Sequence, residues 1–138
     1  YDLALHYGED PIPLKKIAER QGISEYYLEQ LIGILRREGF VKSMRGSQGG
    51  YILADDPSNI MVGDILNILE GPIEISDCID DREINECSKV NYCATRLIWV
   101  KIKNAIDDVV NSISLQDMVN DYKLLCEKNK DLIKKESE

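Results

Sequence analysis

Histidine is nearly absent from this 138-residue chain: His6 is the only one. No nucleophile–base pair is in evidence, and the one glycine-rich stretch, RGSQGG, lacks the helix start and lysine of a phosphate loop. An enzyme is therefore not expected. Long apolar runs are missing too; the longest falls far short of the roughly 18 residues of a membrane span. No internal repeat, low-complexity run or signal-peptide pattern is present, which points to the cytoplasm and away from a membrane partner. The chain opens YDLALHYGED, already amphipathic and without a methionine, so a further segment upstream is expected. Positive charge is in short supply, with 17 Lys and Arg against 25 Asp and Glu and a net charge of −8. That total disfavours nucleic acid, but a global charge does not exclude a local footprint.

The charge that is present is unevenly placed. From Ser24 to Leu53 the bases Arg36, Arg37, Lys42 and Arg45 face the acids Glu25, Glu29 and Glu38, a local sum of +1. From Asp64 to Cys87 a run of acids, including Asp77, Asp80, Asp81, Glu83 and Glu86, faces Arg82 alone. A hydrophobic fraction of 43% is ordinary for a globular domain with a real core.

The periodicity predicts a mainly α chain with a small β-hairpin. Residues 1–7 read as the end of a helix stopped by Gly8, and GEDPIP reads as a turn. Pro13 suits a first helical residue, and LKKIAERQ continues with Leu14, Ile17 and Ala18 on one face until Gly22. Ser24 is a good N-cap for EYYLEQLIGILRREG, where Leu28, Leu31, Ile32 and Leu35 repeat at helical spacing and Gly39 ends the run. Two helices across a short glycine turn make a helix-turn-helix, or any small helical hairpin. FVKSMRGSQGGYILADD then reads as strand, loop, strand. It is a wing if the helix pair binds DNA and a surface hairpin with an idle arginine otherwise. Tip glycines allow close approach to a DNA backbone, and Arg45 suits a narrow minor groove.

NIMVGDILNILEG is a further amphipathic helix, with Val62, Ile65, Leu66 and Leu69 inward. ATRLIWVKIKNAIDDVVNSI is the longest helical pattern, about 20 residues or 30 Å. Ile98, Ile102, Ala105, Val109 and Ile113, with Trp99 and Ile106 beside them, form a broad apolar face that suits core or a dimer seam. Ser114 and Asp117 resemble a capping box opening LQDMVNDYKLLCEKN, and the charged tail DLIKKESE is expected to fray.

Four segments in this order carry a family resemblance: PIPLKKIAERQGISEYYLEQLIGILRREGFVKSMRGSQGGYIL, VGDILNILEGPI, the cysteines ahead of a long helix, and SISLQDMV. Over nearly its whole length the chain resembles the bacterial winged-helix transcription regulators that include IscR, NsrR and CymR. The pairing of YLEQL with RG and GGY one helix length later is the most specific part. The resemblance implies a winged helix-turn-helix followed by a long dimerisation helix. Residues 1–70 would be the DNA-binding domain, 71–93 a cysteine-containing sensor loop, and 94–138 the dimerisation and C-terminal helices. It implies a homodimer on a double-stranded DNA operator, with the second helix in the major groove and the wing tip in the minor groove. Carried over residue by residue, Ser24, Tyr27, Glu29 and Gln30 match positions near bases or phosphates, and Tyr26 falls at a contact position whose residue varies. Arg45 and Gly46 match the wing positions. The chemistry agrees: Gln30 can pair with adenine, Glu29 can accept from cytosine, and Arg36 and Lys42 suit phosphates.

CIDDREINECSKVNYC sets Cys78, Cys87 and Cys93 in one polar stretch, where packing does not account for three thiols. A disulfide framework is not expected in a cytoplasmic chain. Redox-sensing members of the family bind a [2Fe–2S] cluster on three cysteines ahead of the long helix, so the resemblance implies Cys78, Cys87 and Cys93 as metal ligands. The second gap of C-x8-C-x5-C matches, and the first varies among members. One departure stands out. The residue three after the third cysteine, histidine in IscR-like members, is Arg96, which cannot ligate as its cation. A fourth ligand would be an acid from the partner's N-terminal segment, Cys126, or His6. Zinc with a fourth ligand is a further possibility. So is a cluster-free, CymR-like regulator, with which VGDILNILEGPI is also in keeping. That alternative works through thiol redox state or through a metabolic enzyme docking on the acidic loop.

Overall fold

The computed structural model describes residues 1–79 and 87–136, with side chains described as far as Asn129. Helix α1 (Asp2–Leu5) is short and gives way to a turn at His6–Gly8. Helix α2 (Leu14–Gln21) starts one residue later than the sequence suggests, because Pro13 keeps an extended ψ of 140° and acts as the N-cap. Gly22 turns the chain, and Ser24 opens α3 (Glu25–Arg37) by accepting the Tyr27 N–H on its Oγ at 3.1 Å. Leu28 and Ile32, one turn apart, are buried; Leu31 and Leu35 are half-buried. At the other end the Phe40 N–H donates to the Leu35 carbonyl (2.9 Å) and the Gly39 N–H to the Arg36 carbonyl (3.2 Å). This is the Schellman closure, and its companion residues Leu35 and Phe40 both pack on the core. It sets the direction in which the chain leaves α3.

Strands β1 (Val41–Met44) and β2 (Gly50–Leu53) then pair antiparallel, Val41 opposite Leu53 and Met44 opposite Gly50. Only the end nearest the helices is buried, at Val41 and Leu53. Ile12 exchanges two backbone hydrogen bonds with Tyr51 (3.0 and 2.9 Å), a one-residue third strand across β2. A Cβ on Gly50 would collide with the Ile12 backbone, so that strap requires glycine there.

Helices α4 (Val62–Glu70) and α5 (Ala94–Ser112) pack together closely at Gly63, where a Cβ would collide with the Asn111 side chain. The end of α5 is tied back to the start of α4: the Val62 N–H donates to Ile113 O and the Leu115 N–H to Ile60 O, both at 2.9 Å. The expected capping box forms, with the Ser114 N–H on Asp117 Oδ2 (2.8 Å) and the Asp117 N–H on Ser114 Oγ (3.1 Å). It opens α6, Leu115–Glu136. Leu115 and Val119 complete the core formed by Leu3, Ala4, Ile12, Ile17, Ala18, Leu28, Ile32, Val41, Leu53 and Ile60. The first turns of α6 thus belong to the winged-helix body. Helix α6 runs on through residues 131–136 of the charged tail, with no Gly or Pro to interrupt it. Ser137 and Glu138 lie outside the described residues.

Asp2 is a charged member of this body, at 7% exposure. Burial pushes its carboxyl up. Hydrogen bonds from Arg20 Nε (3.1 Å) and Gln21 Nε2 (2.9 Å), with the Arg20 charge, outweigh that and hold it below the usual carboxylate range. The network clamps α1 onto α2. Among the described residues no helix is long and apolar enough to cross a membrane.

Candidate nucleic-acid interface and cysteine site

Burial of Leu28 and Ile32 turns the opposite face of α3 outward. Tyr26, Glu29 and Gln30 stand at i, i+3 and i+4, which places them on one face, and all three are exposed, Tyr26 to 75%. Ser24 caps the helix start, and Tyr27 is exposed to 53%, on the surface rather than in the core. Arg36 lies in the last turn of α3, where a cation also complements the helix dipole. Lys42 sits on β1 opposite Ile52, and Arg45 begins the wing tip directly after β1. Gly46 takes a φ of +130°, which L side chains rarely adopt, and the Gly49 N–H returns to its carbonyl at 3.0 Å. Arg36, Lys42 and Arg45 are exposed and engage no ion pair among the described residues. All nine expected DNA-facing residues therefore fall on α3 and the hairpin that follows it, and all are exposed.

The cysteines are positioned by short turns. Cys78 lies in a 3₁₀ turn, Asp77–Ile79, half-buried, with its Sγ 3.2 Å from Ser76 Oγ. Cys93, also half-buried, follows a second 3₁₀ turn (Val90–Tyr92) and is the N-cap of α5. Arg96, in the first turn of α5, donates its Nε to the Cys78 carbonyl at 3.1 Å, tying the two ends of the segment together. Sequence reasoning identified Arg96 only as a missing ligand and did not foresee this bond. Cys87 is exposed, and residues 80–86, with the acids Asp80, Asp81, Glu83 and Glu86, lie outside the described residues. Thiolates are the usual donors for an iron–sulfur cluster and suit zinc equally, so the donor set fits in type. Among the described residues, however, no three His, Cys, Asp or Glu side chains converge into a metal-holding group. Of the suggested fourth ligands within the chain, His6 has a partner elsewhere, its Nδ1 lying 2.8 Å from Glu9 Oε2. Cys126 lies one turn from Tyr122 on α6 and raises that tyrosine's pKa, and Tyr122 meets Tyr1 edge-on at 6.3 Å.

The broad apolar face of α5 divides in two. Trp99, Ile106, Val110 and Ile113 are half-buried. Ile98 (57%), Ile102, Ala105 and Val109 (56%) are exposed, one stripe at i, i+4, i+7 and i+11.

A helix pair, a capped second helix with an exposed polar face and a cationic β-hairpin directly after it define a winged-helix DNA-binding protein. The family model described as Rrf2, iron-dependent transcriptional regulator, matches residues 1–121. CymR of Bacillus subtilis is 41% identical over 119 residues, 86% of this chain and 80% of its own length. Its structure, that of the global cysteine regulator of B. subtilis, gives a TM-score of 0.72 over 86% of this chain and 85% of that one. IscR of Photorhabdus laumondii is 40% identical over 124 residues, 90% of this chain and 74% of its own. The structure of T. potens IscR gives a TM-score of 0.71 at 49% identity, covering 88% of this chain and 77% of that one. The chain belongs to the Rrf2 family of DNA-binding transcription regulators. Its relatives are regulators, not enzymes, and both IscR and CymR are among them, as the motifs implied.

Proposed function

We propose that the chain acts in the cytoplasm as a homodimer on an operator, with its occupancy set by a [2Fe–2S] cluster held by Cys78, Cys87 and Cys93. What supports this reading is the sequence order of Cys78, Cys87 and Cys93 ahead of a long helix that Cys93 caps and whose apolar stripe is exposed. Residues 1–70, with the first turns of α6, form the DNA-binding body; 71–93 form the sensor loop; α5 is the dimer helix. Tyr26, Glu29 and Gln30 face base edges, with Ser24 and Tyr27 at the backbone beside them. Arg45 and Gly46 enter the minor groove, and Arg36 and Lys42 take phosphates. A second copy covers Ile98, Ile102, Ala105 and Val109, a stripe about 16 Å long at 1.5 Å per residue.

Half-site spacing in such dimers follows from the angle between the two bodies. A bound cluster supplies a redox-sensitive cross-link among three thiolates. The rest is carried by the chain itself. The Cys93 end of α5 belongs to the sensor segment, and its other end is bonded to Ile60 and Val62. A tilt of α5 therefore reaches the body that carries α3.

The test is a visible spectrum of anaerobically purified full-length protein with iron and sulfide assays. About two irons and two sulfides per chain, with colour lost in Cys93→Ala, are expected. A coloured Cys93→Ala protein, or wild type that stays colourless after reconstitution, contradicts the reading.

One observation favours a second reading. Arg96 stands where IscR-like members keep a histidine, and its Nε is engaged by the Cys78 carbonyl. In this reading the regulator is cluster-free and CymR-like. Its cysteines sense by thiol chemistry or hold zinc, or a metabolic enzyme docks on the acidic loop. Equal operator affinity in oxidised, reduced and metal-free protein supports the docking version.

A further inference from the structure

The bond made by Arg96 closes the cysteine segment at its base. Arg96 lies three residues into the helix that Cys93 caps, and its acceptor, Cys78, is 18 residues earlier in the chain. The Cys78 turn is a docked unit. Ile79 in it is buried, its N–H donates to Ser76 O at 3.1 Å, and Ser76 Oγ lies 3.2 Å from the Cys78 sulfur. A guanidinium donor to a carbonyl is charge-assisted and therefore stronger than a neutral pair. The bond is made through Nε, at the base of the planar guanidinium.

We propose that Arg96 is a positioning residue that latches the Cys78 turn to the head of α5. The latch keeps Cys78 and Cys93 on neighbouring elements with no metal bound. It goes beyond the cluster reading and does not depend on it. In this chain the residue three after the third cysteine holds the loop through its backbone in place of giving a ligand.

The experiment uses the full-length, reduced, metal-free protein and short pulses of iodoacetamide, with alkylation of each cysteine read by peptide mass spectrometry. Cys126, remote from the latch in sequence, is the internal reference. In wild type Cys78 reacts more slowly than exposed Cys87. Arg96→Met keeps the length of the stem and removes the donor. It is expected to raise the Cys78 rate relative to Cys126 roughly tenfold, the order set by one charge-assisted hydrogen bond. Arg96→Lys, which can still reach the carbonyl with one donor, is expected to recover part of the protection. An unchanged Cys78 to Cys126 ratio in Arg96→Met overturns the latch. So does a rise shared by all four cysteines, which reports general loosening, or an Arg96→Lys protein as reactive as Arg96→Met. No outcome depends on iron, so failure here is separable from failure of the cluster reading, which the spectrum tests.

Discussion

The outer faces of α3 and of α5 both leave large side chains in solvent, and they differ in kind. On α3 the exposed residues are Tyr26, Glu29, Gln30 and Arg36, while Leu28 and Ile32 fill the core behind them. That helix is satisfied within one chain. On α5 the exposed residues include an aliphatic stripe, Ile98, Ile102 and Val109, while Trp99, Ile106 and Val110 are half-buried. A contiguous aliphatic stripe in water is costly and marks a surface that is completed by association. The DNA-binding body is thus whole as a single chain, whereas α5 leaves an aliphatic stripe uncovered.

Truncating the two faces should separate these roles. Ile32→Ala, in the body, is expected to cost about 2–5 kcal/mol in denaturant unfolding. Ile98→Ala should cost the isolated chain no more than about 0.5 kcal/mol; equal losses would erase the contrast. Next in size, a charge in the stripe should break association. Ile102→Asp is expected to weaken self-association by about 2 kcal/mol or more, measured by sedimentation, and an unchanged dimer would place the seam elsewhere. On the other face, Arg45→Ala should weaken operator binding by about 1–3 kcal/mol and flatten its salt dependence. Fluorescence anisotropy across salt concentrations reads both, and identical curves would remove the wing from the groove.

The smallest expected effect concerns the clamp beneath the α3 body. The pKa of Asp2 is lower folded than unfolded, so its contribution is fully present above the unfolded carboxylate value, near 4, and fades as the pH falls through the folded value. Unfolding measured from pH 7 to pH 3 should show wild type losing more stability than Asp2→Asn. The difference should be at most about 1 kcal/mol, because the partly exposed Arg20 is screened by solvent. Parallel losses would mean the network adds nothing.

Local signals made much of the α3 side legible. The N-cap at Ser24, the Leu28–Ile32 spacing and the Gly39 stop were each readable within a few residues, and the same holds for the Ser114 capping box. The features that join segments were not. Asp2 meets Arg20 and Gln21, Ile12 straps β2 at Tyr51, and Ile60 and Val62 bond across the α5–α6 junction. Nothing in a local window reports such pairings, because the partners are brought together only by packing. The α5 pattern was read as one wide stripe, since periodicity gives the apolar arc but not which part α4 covers. For the cysteines, spacing and chemistry suggested ligands, while the backbone contact made by Arg96 had no sequence signature at all.

The central claim is that the cysteine segment and the DNA-binding face are coupled. The most direct test takes one operator, selected from random duplexes, and compares its affinity for iron-loaded and metal-free protein at fixed salt and dimer concentration. The two affinities are expected to differ within the roughly 5–150-fold range of ordinary allosteric coupling, in either direction. Equal affinities for protein verified as loaded and as metal-free would contradict it and leave a DNA-binding dimer whose cysteines do not govern its occupancy.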